Sequence, residues 1–116
     1  MRAELRFPDP SANPYLAFAV ILSAALDGID NKWTPPAPLS NINVYHLDEA
    51  EREKMGISSL PGSLAEALGE LEKDDVVRAA LGKNVYEAFV RAKMAEWDEF
   101  RINVTDWEVE RYLEAA

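Results

Sequence analysis

The feature that most constrains this chain is an apolar stretch at residues 16–26, which only Ser23 interrupts. Asn13-Pro14 before it is typical of a helix start, with Asn13 as N-cap and Pro14 in the first turn, where its missing N–H costs nothing. Eleven residues are too few to cross a bilayer of about 30 Å at about 1.5 Å per residue, so a membrane span is excluded. Because this helix is apolar on every side, we expect it to be buried between other elements and to end near Gly28.

Five further helices are predicted after a long loop. Residues 31–47 show no hydrophobic periodicity and contain the run Pro35-Pro36-Ala37-Pro38, which favours an extended, irregular backbone. Capping-box patterns then recur, and glycines stand where helices should end. The boxes are Asp48 with Glu51, Ser63 with Glu66 and Thr105 with Glu108, and the glycines are Gly56 and Gly82. The predicted helices span about 48–55, 63–73, 75–81, 84–102 and 106–114.

One short strand is predicted at the amino end, where residues 2–7 alternate charged and apolar side chains with period two. Pro8-Asp9-Pro10 ends it. The predicted fold class of this single domain is therefore mainly α, with one short amino-terminal strand and about six helices.

Charge and residue usage exclude several classes of function. Lys and Arg number 12 against 21 Asp and Glu, a formal net charge of -9, which disfavours nucleic-acid binding and polybasic attachment to membranes. The chain has no Cys, so it has no disulfide, thiolate metal site or thiol nucleophile, in keeping with a reducing compartment. The single histidine, His46, stands in the loop and is expected to be a surface residue.

The predicted amino-terminal strand carries the one group of side chains whose chemistry suggests a functional site. In an extended strand Arg2, Glu4 and Arg6 project from the same face. A carboxylate between two guanidinium groups could hold a divalent metal while the arginines bind phosphate or carboxylate oxygens. The alternative is an exposed sheet face with ordinary cross-strand ion pairs.

Two apolar surfaces are predicted nearer the carboxyl end. One face of the 84–102 helix is expected to pack as core or interface, with the Lys93 stem covering a gap in it. Its members are Tyr86, Phe89, Val90, Trp97 and Phe100. The last helix gathers Trp107, Val109, Tyr112 and Leu113 with no later element to cover them. Together with an unpaired strand at residues 2–7, this predicts self-association through the ends.

The order of several motifs closely resembles the last segment of the catalytic domain of class I glutamine synthetases. The first is residues 2–19, RAELRFPDPSANPYLAFA. Further agreement lies in LDGI at 26–29, PP at 35–36, NVY at 43–45, LPGSL at 60–64, AKMAEWD at 92–98, TDWE at 105–108 and ERY at 110–112.

This resemblance implies an α+β catalytic domain that joins ammonia to glutamate with ATP, through a γ-glutamyl phosphate and with two divalent ions, Mg²⁺ or Mn²⁺. By position, Glu4 resembles a metal ligand, Arg6 a contact to glutamate and its phosphorylated form, and Arg2 a contact to the ATP phosphates. The resemblance also implies a cytoplasmic dodecamer of two stacked hexameric rings. It further implies that the terminal segment reaches into a subunit of the facing ring.

The family's remaining metal ligands, its glycine-rich signature and its amino-terminal domain have no counterpart in this chain. We therefore expect residues 1–116 to be a carboxy-terminal part of the catalytic domain, without a complete catalytic set and inactive alone. The alternative is a stand-alone acidic helical interaction module without catalysis.

Tyr45 aligns with a tyrosine that some members of the family carry as an adenylylation site. The alternative, which we favour, is a ring packed along the proline-rich loop.

Overall fold

The chain is helical throughout its regular structure. A computed structural model describes residue 2 and residues 4–113. The five α-helices are α1 (Pro14–Asp30), α2 (Glu49–Lys54), α3 (Leu64–Lys73), α4 (Asp75–Arg101) and α5 (Asp106–Tyr112). A 3-10 turn, Val44–His46, lies in the long loop between α1 and α2.

The helix starts predicted at Asn13, Asp48, Ser63 and Thr105 are confirmed, and a local hydrogen bond specifies each of them. The Asn13 side chain accepts from the Tyr15 amide at 3.0 Å. In α5 the box is reciprocal: Thr105 Oγ1 accepts from the Glu108 amide at 3.3 Å, and the Glu108 carboxylate accepts from the Thr105 amide at 2.8 Å. Asp48 and Glu51 form the same arrangement in α2.

The box at α3 is displaced by one residue. Ser63 Oγ accepts from the Glu66 amide at 3.2 Å as predicted. The Glu66 carboxylate, however, accepts from the amide of Gly62 at 2.8 Å and not from that of Ser63. The carboxylate still satisfies an amide just before the helix, so the capping function is kept.

Helix ends differ from prediction at two glycines. Gly28 is helical, and α1 continues to Asp30 with Asn31 as C-cap. Gly82 has φ 69° and ψ 158°, so it bends α4 and does not adopt the left-handed helical conformation expected of a C-terminal glycine. The two helices predicted at 75–81 and 84–102 are thus one element with a non-helical residue inside it.

The predicted fold class is wrong in its strand and in its six helices, although its mainly helical character agrees with the structure. Residues 4–7 have no regular secondary structure and no strand pairing among the described residues, while Met1 and Ala3 lie outside them. The physical reason is that a strand exists only when a second strand takes its backbone hydrogen bonds, and the described part of the chain supplies none.

Helix α4 is the centre of packing, because both α1 and α3 lie against it. Its predicted face is confirmed at Tyr86, Phe89, Val90, Lys93 and Trp97, which are half-buried. Phe100 is the exception and is 66% exposed. The only buried apolar side chain in the described residues is Leu68 of α3, which is 3% exposed.

Helix α1 is not buried on all sides as we expected. One face, including Leu16 and Val20, packs toward α4. The opposite face exposes a stripe of large apolar side chains at helical spacing. This α1 stripe consists of Tyr15, Phe18, Leu22, Leu26 and Ile29, all at least half exposed.

The exposed surface is far larger than a self-contained domain would show. The accessible area is 10469 Å², whereas a compact monomer of this size exposes about 6,300 Å². The radius of gyration is 18.5 Å, against about 13 Å expected for a compact domain. In the described residues, no helix has the length and apolar character needed to span a membrane.

Candidate functional site

The structure brings together two of the three predicted site residues at the amino end. Arg6 Nε donates to Glu4 Oε1 at 2.7 Å, with the two side chains 87% and 53% exposed. An ion pair this exposed contributes at most about 1 kcal/mol. Glu4 can therefore exchange Arg6 for a cation, and Arg6 can turn to an anionic ligand, without a large loss of stability.

The other predicted positions lie on open surface. Arg2 is exposed at the start of the same segment. Tyr45 is 96% exposed, so its ring does not pack along the proline-rich loop within this chain. His46 is also exposed, and its Nε2 lies 3.3 Å from the Asn43 side-chain nitrogen.

The carboxylates present do not form a complete metal site. In residue 2 and residues 4–113 there is no group of three or more His, Asp or Glu side chains placed to hold an ion. Glu4 offers a hard oxygen ligand of the type that Mg²⁺ and Mn²⁺ accept, but Mg²⁺ requires near-octahedral surroundings. The chain alone therefore fits such an ion only as the source of one ligand.

The loop that follows Glu4 and Arg6 in the sequence lines part of a groove. It has a volume of about 750 Å³ and lies between α1, α3 and α4. Its walls are apolar, with Leu16 and Val20 from α1, Leu71 from α3, and Leu81 and Phe89 from α4. The loop before α1 contributes Asp9, Ser11, Ala12 and Asn13 to the lining of this α1–α4 groove.

The polar side chains of the groove belong to that loop and to α4. Asp9 and Ser11 face it from the loop, and Lys93 and Glu96 from α4. Lys93 Nζ donates to both Glu96 oxygens, at 2.9 and 2.8 Å. Among the described residues lining the groove, Lys93 is the only cation.

Asp9 is the centre of a tight turn. Its carboxylate accepts from the Ser11 hydroxyl and from the Ser11 amide, the latter at 2.7 Å. The Ala12 amide donates to the Asp9 carbonyl at 3.0 Å. The hydroxyl and then the amide of Ser11 hold the pKa of Asp9 below its ordinary value, with a further lowering from the Lys93 ammonium.

Sequence reasoning assigned Pro8-Asp9-Pro10 only the role of ending a strand and so missed the Asp9 turn. The signal was present, since an Asp two residues before a Ser is a common side-chain turn. Nothing in the sequence pattern, however, placed Asp9 at the same groove as Lys93.

Comparison with known proteins assigns the chain to a family. The family model described as the glutamine synthetase catalytic domain matches residues 1–112. The glutamine synthetase of Thermotoga maritima is 56% identical over 112 residues, which cover 97% of this chain and 25% of that protein. The glutamine synthetase of Methanocaldococcus jannaschii is 53% identical over 112 residues, covering 97% of this chain and 24% of that protein.

A solved structure described as apo GmaS without ligand has the same fold over most of the chain. Its TM-score is 0.69 at 35% identity, over 94% of this chain and 24% of that one. The chain belongs to the glutamine synthetase family. It spans about a quarter of the length of the curated relatives that it matches.

Proposed function

We propose that residues 1–116 form the carboxy-terminal part of a glutamine synthetase catalytic domain. The complete protein is then an ATP-dependent glutamate–ammonia ligase that works through a γ-glutamyl phosphate. The observation that carries this proposal is the match of residues 1–112 to the catalytic-domain family. It includes the segment in which Glu4 and Arg6 meet.

In this proposal the amino-terminal segment supplies part of the active site. Glu4 gives one oxygen to Mg²⁺ or Mn²⁺, Arg6 contacts glutamate and its phosphorylated form, and Arg2 contacts the ATP phosphates. The exposure of all three side chains supports this assignment, since each is accessible to a ligand. A bound ion and guanidinium groups would neutralise charge on a phosphoryl group as it transfers.

The incomplete burial of the chain supports the view that its active site is completed elsewhere. The α1 stripe and the excess of exposed area need apolar cover that the described residues do not provide. The remaining ligands and the cover would come from the other three quarters of a protein the length of the relatives. The chain alone is then inactive, and the complete protein is a cytoplasmic dodecamer of two stacked hexameric rings.

A segment exchange tests this function. We define the chimera as the Thermotoga maritima glutamine synthetase in which this chain replaces the matching 112 residues. We expect the chimera to form glutamine from glutamate, ammonia and ATP, and the chain alone to form none. The matched control is the corresponding segment of the Methanocaldococcus jannaschii protein, grafted in the same way. It shows whether the host enzyme accepts a segment whose sequence differs from its own.

The proposal fails if the chimera folds and assembles like its host yet forms no glutamine, while the control graft is active. An isolated chain that forms a defined oligomer with a cooperative melting transition would, together with that failure, favour the non-catalytic interaction module.

A further inference from the structure

We infer that residues 32–38 form a docking segment for a protein domain of the SH3 type, which binds proline-rich chains in a groove lined by aromatic side chains. The sequence of this docking segment is Lys-Trp-Thr-Pro-Pro-Ala-Pro. The inference goes beyond the proposed function, which gives no role to the long loop between α1 and α2.

The beginning of the docking segment is fixed to the end of α1. The Trp33 amide donates to the Gly28 carbonyl at 3.0 Å. The Lys32 amide donates to the Ile29 carbonyl, also at 3.0 Å, and Lys32 has a left-handed backbone with φ 53°. These two bonds and the left-handed residue make the Schellman arrangement of a helix end. The docking segment therefore leaves α1 in a defined direction.

The proline run that follows is stiff and open to solvent. Pro35, Pro36 and Pro38 each fix φ near −65° and disfavour a helical conformation in the preceding residue, so they favour a polyproline helix. Residues 33–40 have no helix, strand or turn, and all are exposed. Within the described part of the chain, residues 34–42 make no backbone-to-backbone hydrogen bond. A partner therefore displaces no such bond and has little chain to order when it binds.

The spacing of the prolines fits a groove with successive aromatic pockets. The pairs Thr34-Pro35 and Ala37-Pro38 lie three residues apart. A polyproline helix repeats every three residues, so Pro35 and Pro38 lie on one edge of it. This is the PxxP pattern that SH3 grooves bind.

Lys32 gives the docking segment a charged contact at one end. It precedes Pro35 by three residues and is exposed, and none of the ion pairs among the described residues includes its ammonium. A carboxylate beside the groove of the partner can therefore pair with it. Because the chain has a formal net charge of -9, long-range attraction to an acidic domain is not expected, and Lys32 acts as a local contact.

The test uses an isolated SH3 domain whose established ligands have the pattern Lys/Arg-x-x-Pro-x-x-Pro. Calorimetric titration measures its affinity for the chimera, in which the rest of a complete protein is present. We expect saturable binding, which Pro35→Ala and Pro38→Ala each weaken about tenfold or more and Lys32→Gln about threefold or more. Pro61→Ala is the matched control, because Pro61 is an exposed proline in the loop before α3, and it should leave the affinity unchanged.

The melting temperature of each variant should stay near that of the chimera, so a loss of affinity will report the contact and not unfolding. The inference is overturned if the SH3 domain does not bind the chimera, or if Pro61→Ala weakens binding as much as Pro35→Ala does. Binding that Lys32→Gln leaves unchanged would overturn the charged contact. Titration needs no turnover, so a folded chimera that forms no glutamine would end the proposed function and still decide whether the docking segment binds.

Discussion

At the scale of single residues, hydrogen-bond partners distinguish Glu4 from Glu51, since both residues are exposed. Among the described residues Glu4 is bonded only to an exposed arginine, whereas Glu51 accepts from the Asp48 amide at 3.0 Å and caps α2. In the chimera we expect Glu4→Ala to lower glutamine formation and weaken activation by Mg²⁺ with little change in melting temperature. Glu51→Ala should cost about 1 kcal/mol of stability and leave activity intact. Equal turnover and equal Mg²⁺ dependence in the two variants would show that Glu4 is not a metal ligand.

Glu108 makes the stability of α5 depend on pH. Its bonds from the Thr105 amide and then the Thr105 hydroxyl lower the pKa of Glu108 from the ordinary value of 4.5. Because the folded pKa lies below the unfolded one, this stabilisation is fully present above about pH 4.5 and is lost as pH falls through the folded pKa. We expect the amides of α5 to lose protection from hydrogen exchange as the pH falls below the ordinary value of 4.5 and through the lowered folded pKa of Glu108. Glu108→Gln should remove that pH dependence, and a persistent dependence in this variant would assign it to another group.

The same residues show why some of the site was predictable. Asn13, Asp48 and Thr105 cap groups two or three positions away, so their partners could be identified along the sequence. Glu4 and Arg6 are also two apart, and an extended backbone suffices to bring them together. Asp9 and Lys93 are far apart in sequence, and only the packing of helices places both at one groove.

At the scale of elements, Gly82 is the residue on which the shape of α4 depends. Its φ of 69° and ψ of 158° lie in a region open essentially to glycine alone, where another residue costs about 1–3 kcal/mol. We expect Gly82→Ala to lower the melting temperature of the chimera. Gly69→Ala in α3 is the matched control, since a Cβ there meets nothing within 4 Å, and it should stabilise by about 0.5–1 kcal/mol. Similar shifts in both variants would mean that the bend at Gly82 is not required.

Helices could be predicted more fully than the strand or the burial of α1. A helix satisfies its own backbone, so caps and periodicity define it even in an incomplete assembly. A strand at residues 2–7 requires a partner strand, and burial of the α1 stripe requires an apolar neighbour. The described residues supply neither, so the all-round apolar pattern of α1 predicted a burial that the structure does not show.

At the scale of the whole molecule, exposed apolar area governs behaviour in solution. With an accessible area of 10469 Å², about 4,000 Å² above that of a compact monomer, the isolated chain should self-associate. We expect light scattering to show a mass that rises with protein concentration, and Phe18→Asp in the α1 stripe to reduce it. A clean monomer at high concentration would contradict this expectation.

The apolar residues of α5 predict an effect on assembly. Trp107 and Tyr112 are 61% and 60% exposed, and their rings contact each other edge to face at 6.0 Å between centroids. If the proposed dodecamer of two rings is correct, we expect deletion of residues 105–116 from the chimera to weaken contact between the rings, seen as smaller particles in sedimentation. An unchanged particle size would show that α5 takes no part in the contact between rings.

The packing of α1 on α4 also has a consequence for biosynthesis. The 44 residues between Asp30 and Asp75 take about 2–9 s to translate at about 5–20 residues per second. Throughout that interval the face of α1 that packs on α4 has no partner from the later part of the chain. Completion of α4 on the ribosome therefore sets the earliest moment at which Leu16 and Val20 can reach their native packing.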